Sequence, residues 1–546
     1  MNKNLLLLVL MGLLTGNIFA QETTLKLPTA DNSSSFNVTD NASTPNTLLN
    51  LNGDAGFYLS GTYGTGIIPT TGAGIRVMWY PAKAAFRAGG VSGTEWDDTN
   101  IGQYSTALGY RNTASAYAST ALGFATSAIG QYSLATNYST TASGQFSTAM
   151  GNATIASGQY STAMGNATTA NGQYSTAIGN ATTASGQNAT AMGYGTTASG
   201  NFSTAMGNET TASGSFSTAM GTNTTASNYA TAMGAGTTAS NTYATAMGVQ
   251  TNASGIAATA MGQKTTASGQ NATAMGYGTT ASVDYSIAMG LFSEASGTVA
   301  TAMGFYTTAS GKISTAMGYK TAASGDYSMA TGYRTTASGD NTTAMGTYVS
   351  TNSNGGSFIF GDNSTTTTTS SSAGNEITMR FAGGYRLFTS SDLSTGVTLA
   401  ASGSSWSSVS DSTKKENIIK ADGELFLTNL SRLKIGSWNY KTQDKNYRHY
   451  GPMAQEIFHY FGKDEFGTIG NDTTLASADM DGIMMICLQA IEKRTEKLKK
   501  ENEELRKENQ DMKNEIMVLK KNIEEIKTLV SGIVKSKETT TEIEKK

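Results

Sequence analysis

From Gly102 to Asn352 the chain repeats itself about every 14 residues, and this period limits what the chain can fold into more than any other feature. One copy reads Gly144-Gln145-Phe146-Ser147-Thr148-Ala149-Met150-Gly151-Asn152-Ala153-Thr154-Ile155-Ala156-Ser157, and the next opens at Gly158-Gln159-Tyr160. Roughly 18 copies follow one another, and the copy beginning at Asn228 is one residue short. Each holds two short strand-like segments separated by glycines that permit tight turns. Alternation along a strand puts Ser147, Ala149 and Gly151 on one face and Thr148 and Met150 on the other. Such units stack as coils about 4.8 Å apart, giving a rod on the order of 85 Å long. A coil lined by Ala and Gly buries little apolar surface. The recurring Met and aromatic positions, Tyr132, Phe146, Tyr160, Tyr174, Phe202 and Phe216, supply an apolar stripe expected to pack against other copies of the chain.

The repeated Gly-x-x-Ser-x-Ala-x-Gly followed by Ala-Ser resembles the YadA-like head of trimeric adhesins. The resemblance implies a left-handed parallel β-roll, assembled as a homotrimer that binds a host, matrix or cell-surface ligand. Other rolls fit less well. A calcium-binding nonapeptide roll needs Asp in each turn, and Asp is nearly absent from the repeats. Ice binding needs ranks of paired outward threonines, whereas neighbours such as Thr154 and Ile155 point to opposite faces. A spacer that binds nothing is the plain alternative.

Outside the repeats, 53–101 is expected to be a β-rich cap on the roll, and 21–52, rich in Ser, Thr and Asn, a flexible segment. Residues 353–409 read as a linker and an intertwined β-neck. Lys3, the apolar run from Leu5 to Leu14 and Ala20 before Gln21 read as a signal peptide over 1–20. The run is too short to span a membrane, and no later stretch is long enough, so the protein is expected to be secreted or at a bacterial cell surface. The net charge of −3 argues against a nucleic-acid partner, and Cys487 is the only cysteine, which rules out an intrachain disulfide.

The chemistry is concentrated after the neck. Ser410-Asp411-Ser412-Thr413-Lys414-Lys415-Glu416-Asn417-Ile418 is followed by Arg448-His449-Tyr450-Gly451-Pro452-Met453-Ala454-Gln455-Glu456 and then by Asp479-Met480-Asp481-Gly482 entering a helix. A Ser and a Lys five residues apart mean little alone. The ordered set resembles the intramolecular chaperone domain of phage endosialidases and other tail-spike proteins. That resemblance implies a small α+β domain over 410–487 that assembles a trimer and then severs the chain beside the motif serine. It makes Ser410 the nucleophile and Lys415 the general base, with Asp411, Asn417, His449, Gly451, Gln455 and Glu456 in support. The chemistry is sound, because a Ser hydroxyl needs a base and Ser–Lys pairs are a variant of the Ser-His-Asp scheme. His449 would complete a triad with the pair, but the resemblance places it in a motif whose role is architectural, and that is the reading favoured over direct proton transfer. Asp479 and Asp481 are explained by a helix start, so no metal or cofactor is expected.

From Leu488 a heptad pattern sets in. Leu488, Thr495, Asn502, Asn509, Ile516, Ile523 and Val530 fall at a, and Ile491, Leu498, Leu505, Met512, Leu519, Ile526 and Ile533 at d. This predicts a coiled coil and charged tail over 488–546. The final Thr-Glu-Ile-Glu-Lys-Lys lacks the barrel strands of a trimeric autotransporter, so that anchoring scheme is not expected to transfer. A prophage-derived fibre with a non-cleaving trimerisation foot is the alternative. The fold class expected is thus mainly β, with a trimeric roll, a small α+β domain and a coiled coil.

Overall fold

The computed structural model describes residues 35–39, 47–52 and 56–543. The expected signal peptide lies outside the described residues, as does much of 21–52. Two stretches of that segment, read from sequence as loose, are strands: Ser35–Thr39 and Thr47–Asn52 join Gly56–Leu59 in an antiparallel sheet. The chain divides into two compact units after Phe381.

The first unit is a parallel β-solenoid of about 18 turns. Each turn gives one five-residue strand, such as Thr148–Asn152, and one two-residue strand, such as Ile155–Ala156. Each pairs in parallel with its equivalent 14 residues on, so Thr148, Ala149 and Met150 lie against Thr162, Ala163 and Met164. The short copy is absorbed without a break: Thr218 pairs with Thr231. Ser147, Ala149, Thr154 and Ala156 are fully enclosed, while Thr148 and Met150 face outward and are half-buried. An interior of alanine methyls contributes only about 0.8 kcal/mol per methyl. The turns are therefore held chiefly by backbone hydrogen bonds between them, such as Thr148 N to Ser161 O at 2.9 Å and Ala153 N to Tyr138 O at 2.9 Å.

The aromatic residues do not share the Met face. The six of the expected stripe occupy the turn before the five-residue, or wide, strand of their rungs in the left-handed region, with φ of 58° at Tyr132, Phe146 and Tyr160. That conformation costs a non-glycine residue on the order of 1 to 3 kcal/mol. Stacking offsets part of it: Tyr132, Phe146, Tyr160 and Tyr174 lie ring on ring with centroids 4.8 to 4.9 Å apart. Beside them Gln131, Gln145, Gln159 and Gln173 form an amide ladder, with Gln159 Nε2 donating to Gln145 Oε1 at 3.0 Å.

Both ends of the roll are plugged by larger side chains. At the start, Gly74–Tyr80 and Ala85–Val91 form a hairpin whose second strand pairs in parallel with Thr106–Tyr110. Arg87 takes the interior position in register with Ala107 and is fully buried. Its guanidinium donates to Ser105 O at 2.8 Å, Ser105 Oγ at 2.8 Å and Ala114 O at 3.0 Å. Burial lowers its pKa to about 10, so it stays charged at neutral pH. Trp96 closes the same end, with Nε1 donating to Asn112 O at 2.9 Å. At the other end the ladder runs past 352, where the sequence places a linker. Phe358–Gly361 and Ile377–Arg380 add two rungs, and Val349 and Ile359 fill the interior.

Glycine is required where each wide strand ends. Gly165 has φ +126°, and a Cβ there would sit 1.9 Å from Gly179 O on the next rung. Gly165→Ala is expected to cost on the order of 3 kcal/mol. The check is the denaturant midpoint against Asn166→Ala, an exposed position on the same rung. Equal midpoints for the two variants would show that the glycine does not hold the rungs at contact distance.

The second unit opens with an antiparallel sheet of Tyr385–Phe388, Gly396–Leu399 and Ser407–Ser408. Helices α1 (Gly423–Leu430), α2 (Ala454–Phe461) and α3 (Ser477–Ile543) follow, with a small hairpin of Gly436–Trp438 and His449–Gly451 between the first two. The core is small: Phe461, Ile483 and Cys487, with Phe426, Leu430, Ile457 and Met480 packed against them. Helix α3 is unbroken for 67 residues, so the stretch that packs on the domain and the heptad stretch are one element. Among the described residues no helix is long and apolar enough to cross a membrane.

Candidate functional site

Ser410 lies two residues beyond the last strand of the antiparallel sheet that opens the second unit. Asp411 then caps a single 3₁₀ turn, Ser412–Lys414, accepting from Thr413 N at 2.9 Å and Thr413 Oγ1 at 2.8 Å. The backbone bond from Thr413, then its hydroxyl, hold the Asp411 carboxyl below its usual pKa. This turn carries the chain round so that Lys415 reaches back to its starting point: Lys415 Nζ donates to Ser410 Oγ at 2.6 Å. Asn417 follows with φ +57°, in the left-handed region that Asn tolerates.

The remaining motif residues gather elsewhere in the domain. His449 stacks on Trp438 at 4.8 Å, meets Tyr440 edge-on, and shares a 2.8 Å hydrogen bond between Nε2 and Gln443 Oε1. Gly451 ends the hairpin strand, and Gln455 and Glu456 stand in the first turn of α2. Glu456 accepts from Lys434 N at 3.2 Å. Gln455 lines an open cleft of about 600 Å³ with Trp438, Tyr440, Met453 and Leu475. Within one chain, among the described residues, no hydrogen bond or ion pair joins this group to Ser410 or Lys415. The roles of Gln443 and Trp438 in holding His449 were not read from the sequence. Asp411 with Thr413 two residues on is a readable turn signal.

Both members of the Ser410–Lys415 pair face solvent. A lysine ammonium in water keeps its proton at neutral pH and acts as a donor, while a general base must first lose it through desolvation or a nearby cation. The arrangement has the geometry of a nucleophile and its base, without the enclosure that the chemistry requires. No group of three or more metal-ligating side chains occurs among the described residues.

Comparison with family models places the chaperone of endosialidase on residues 410–463. The YadA head domain repeat matches eleven stretches between residues 101 and 348. A search of the curated proteins found no match.

Proposed function

Taking as premise that the chain joins YadA head repeats to an endosialidase-type chaperone domain, we propose that it is one subunit of a secreted or surface-displayed bacterial fibre, a homotrimer with an adhesin-like head. Its C-terminal domain gathers three chains, supports folding of the β-structure before it, and cuts itself off beside Ser410. The observation that carries this reading is the 2.6 Å contact between Lys415 Nζ and Ser410 Oγ.

In the proposed step a deprotonated Lys415 takes the Ser410 proton as Oγ attacks an adjoining peptide carbonyl. The acyl–oxygen bond forms, the amide C–N bond breaks, and the leaving nitrogen receives the proton. Water then hydrolyses the ester. The open dyad of the single chain fits a timed reaction. Neighbouring chains that cover it remove solvent from Lys415 and allow the proton to leave.

Support for assembly comes from α3. Leu498, Leu505, Met512, Leu519, Ile526 and Ile533, one every seven residues, are each more than half exposed. A helix of this length, about 100 Å, leaves that seam in water unless other helices cover it. Bringing three chains into one assembly gains from such a clamp, and losing the clamp afterwards makes the trimer kinetically stable.

Ser410→Ala tests the reading. The variant is expected to run as one whole chain under denaturing conditions, while the wild type gives two fragments that meet beside residue 410. A wild type that stays whole would reduce the domain to a permanent trimerisation foot.

A further inference from the structure

The two edges of the roll differ in charge towards its C-terminal end. The turns before the wide strands carry Asp284, Asp326 and Asp340, with Lys312 among them. The turns after the wide strands carry Lys264, Lys320 and Arg334 among aromatic rings. Lys320 Nζ lies 5.5 Å from the centre of the Tyr319 ring and 6.0 Å from that of Tyr306. The Arg334 guanidinium lies 5.5 Å from Tyr348 and 5.9 Å from Tyr333. Lys320 and Arg334 occupy the same position on successive rungs, about 4.8 Å apart along the roll. With Thr336, Tyr348 and Thr368 they line an open cleft of about 350 Å³.

Neither cation has an acidic partner among the described residues. Asp362 is engaged by Arg380, which also ties the loop ahead of it to Thr347 and Thr369. In the repeat register the carboxylates on this side are Asp362, two rungs beyond Tyr333, and Glu294, two rungs before the strand that follows Lys320. Two exposed cations held over tyrosines, beside threonine hydroxyls and with no acid paired to either, make a site for an anion carried on a hydroxyl-rich backbone.

We propose that this cleft binds an acidic polysaccharide, pairing a sulfate or carboxylate with Lys320 and Arg334 while the sugar hydroxyls meet Thr336, Thr368 and the tyrosine edges. The ring geometry favours a glycan over a single-stranded nucleic acid. Tyr319 and Tyr333 stack on each other at 4.8 Å and 6°, and Phe305 stacks on Tyr319 at 5.2 Å and 3°. Their faces are already covered, so no base can enter between them, and what the column offers is edges and phenol hydroxyls. The inference gives the adhesin-like head a ligand class and is independent of the cleavage chemistry.

The test is equilibrium binding of the purified protein, as it emerges from expression of the whole chain, to immobilised heparin, polygalacturonate, neutral dextran and an oligo-dT strand, at low and high salt. Wild-type protein is expected to bind at least one of the two acidic glycans, more weakly as salt rises, and not dextran. Lys320→Gln with Arg334→Gln is expected to weaken that binding at least about tenfold. Lys320→Arg with Arg334→Lys, which keeps both charges, is expected to bind more tightly than the Gln pair, which separates lost charge from a disturbed fold. Lys312→Gln, on the opposite edge, is expected to leave it unchanged. The proposal is overturned if neither acidic glycan binds, if the Gln pair binds as wild type does, if Lys312→Gln costs as much as the Gln pair, or if oligo-dT binds as tightly as the glycans. Each of these failures leaves the assembly and self-cleavage reading standing.

Discussion

Replacing Lys415 by arginine is expected to leave the chain whole. The guanidinium keeps the positive charge and the donors that reach Ser410, yet its pKa above about 12 prevents it from accepting a proton. If Lys415 serves as the base, Lys415→Arg and Lys415→Ala both slow cleavage by roughly 10²- to 10⁴-fold, the usual worth of a positioned base. If Lys415 only orients the serine through the 2.6 Å contact, arginine restores much of the rate and alanine does not. Densitometry of the cut fraction against time after synthesis separates the two roles. Arginine rescue would remove Lys415 from the proton transfer.

The second large effect concerns α3. Leu505 and Leu519 lie two heptads apart on the exposed seam. Leu505→Lys with Leu519→Lys puts two charges per chain on the seam through which the proposed trimer would join its helices. It forfeits about 1.5 to 3 kcal/mol of burial at each leucine and adds like-charge repulsion. Light scattering is expected to give the mass of a single chain in place of three. Cleavage is expected to stop as well, because the dyad then stays solvated. Lys507→Ala, at an outward heptad position, is expected to leave both mass and cleavage unchanged. A Leu505/Leu519 variant that still forms the oligomer would show that the seam does not hold the chains together.

The roll was legible because its period is strict. Ala149 and Ala156 repeat at fixed positions, and a buried column of alanines leaves one way to stack the coils. The short copy at Asn228 was also readable, and it sets the shift from Thr218 to Thr231. The aromatic positions were not. A left-handed φ points to Gly or Asn, and Asn188 and Asn271 do occupy it, but Tyr132 and Phe146 reach it through stacking between rungs. The last two rungs were hidden because the register positions Thr343, Phe358 and Ile377 are 15 and 19 residues apart, which breaks the period while the strands still pair. Burial of Arg87 leaves no mark in the sequence, because only the open end of a solenoid gives an arginine a buried place lined with carbonyls. At the candidate site, motif order singled out Ser410 and Lys415, and the structure brings the two side chains to 2.6 Å. The cluster of His449, Trp438 and Gln443 depends on a hairpin whose strands are three residues each, too short to leave a periodic signal.

The most direct test of the account is the mass of the purified wild-type protein, measured first under native and then under denaturing conditions. A native particle built on three copies of the segment before Ser410 is expected, with denatured chains that end beside that residue. A native particle of one whole chain, still whole after denaturation, would contradict both the assembly and the self-cleavage.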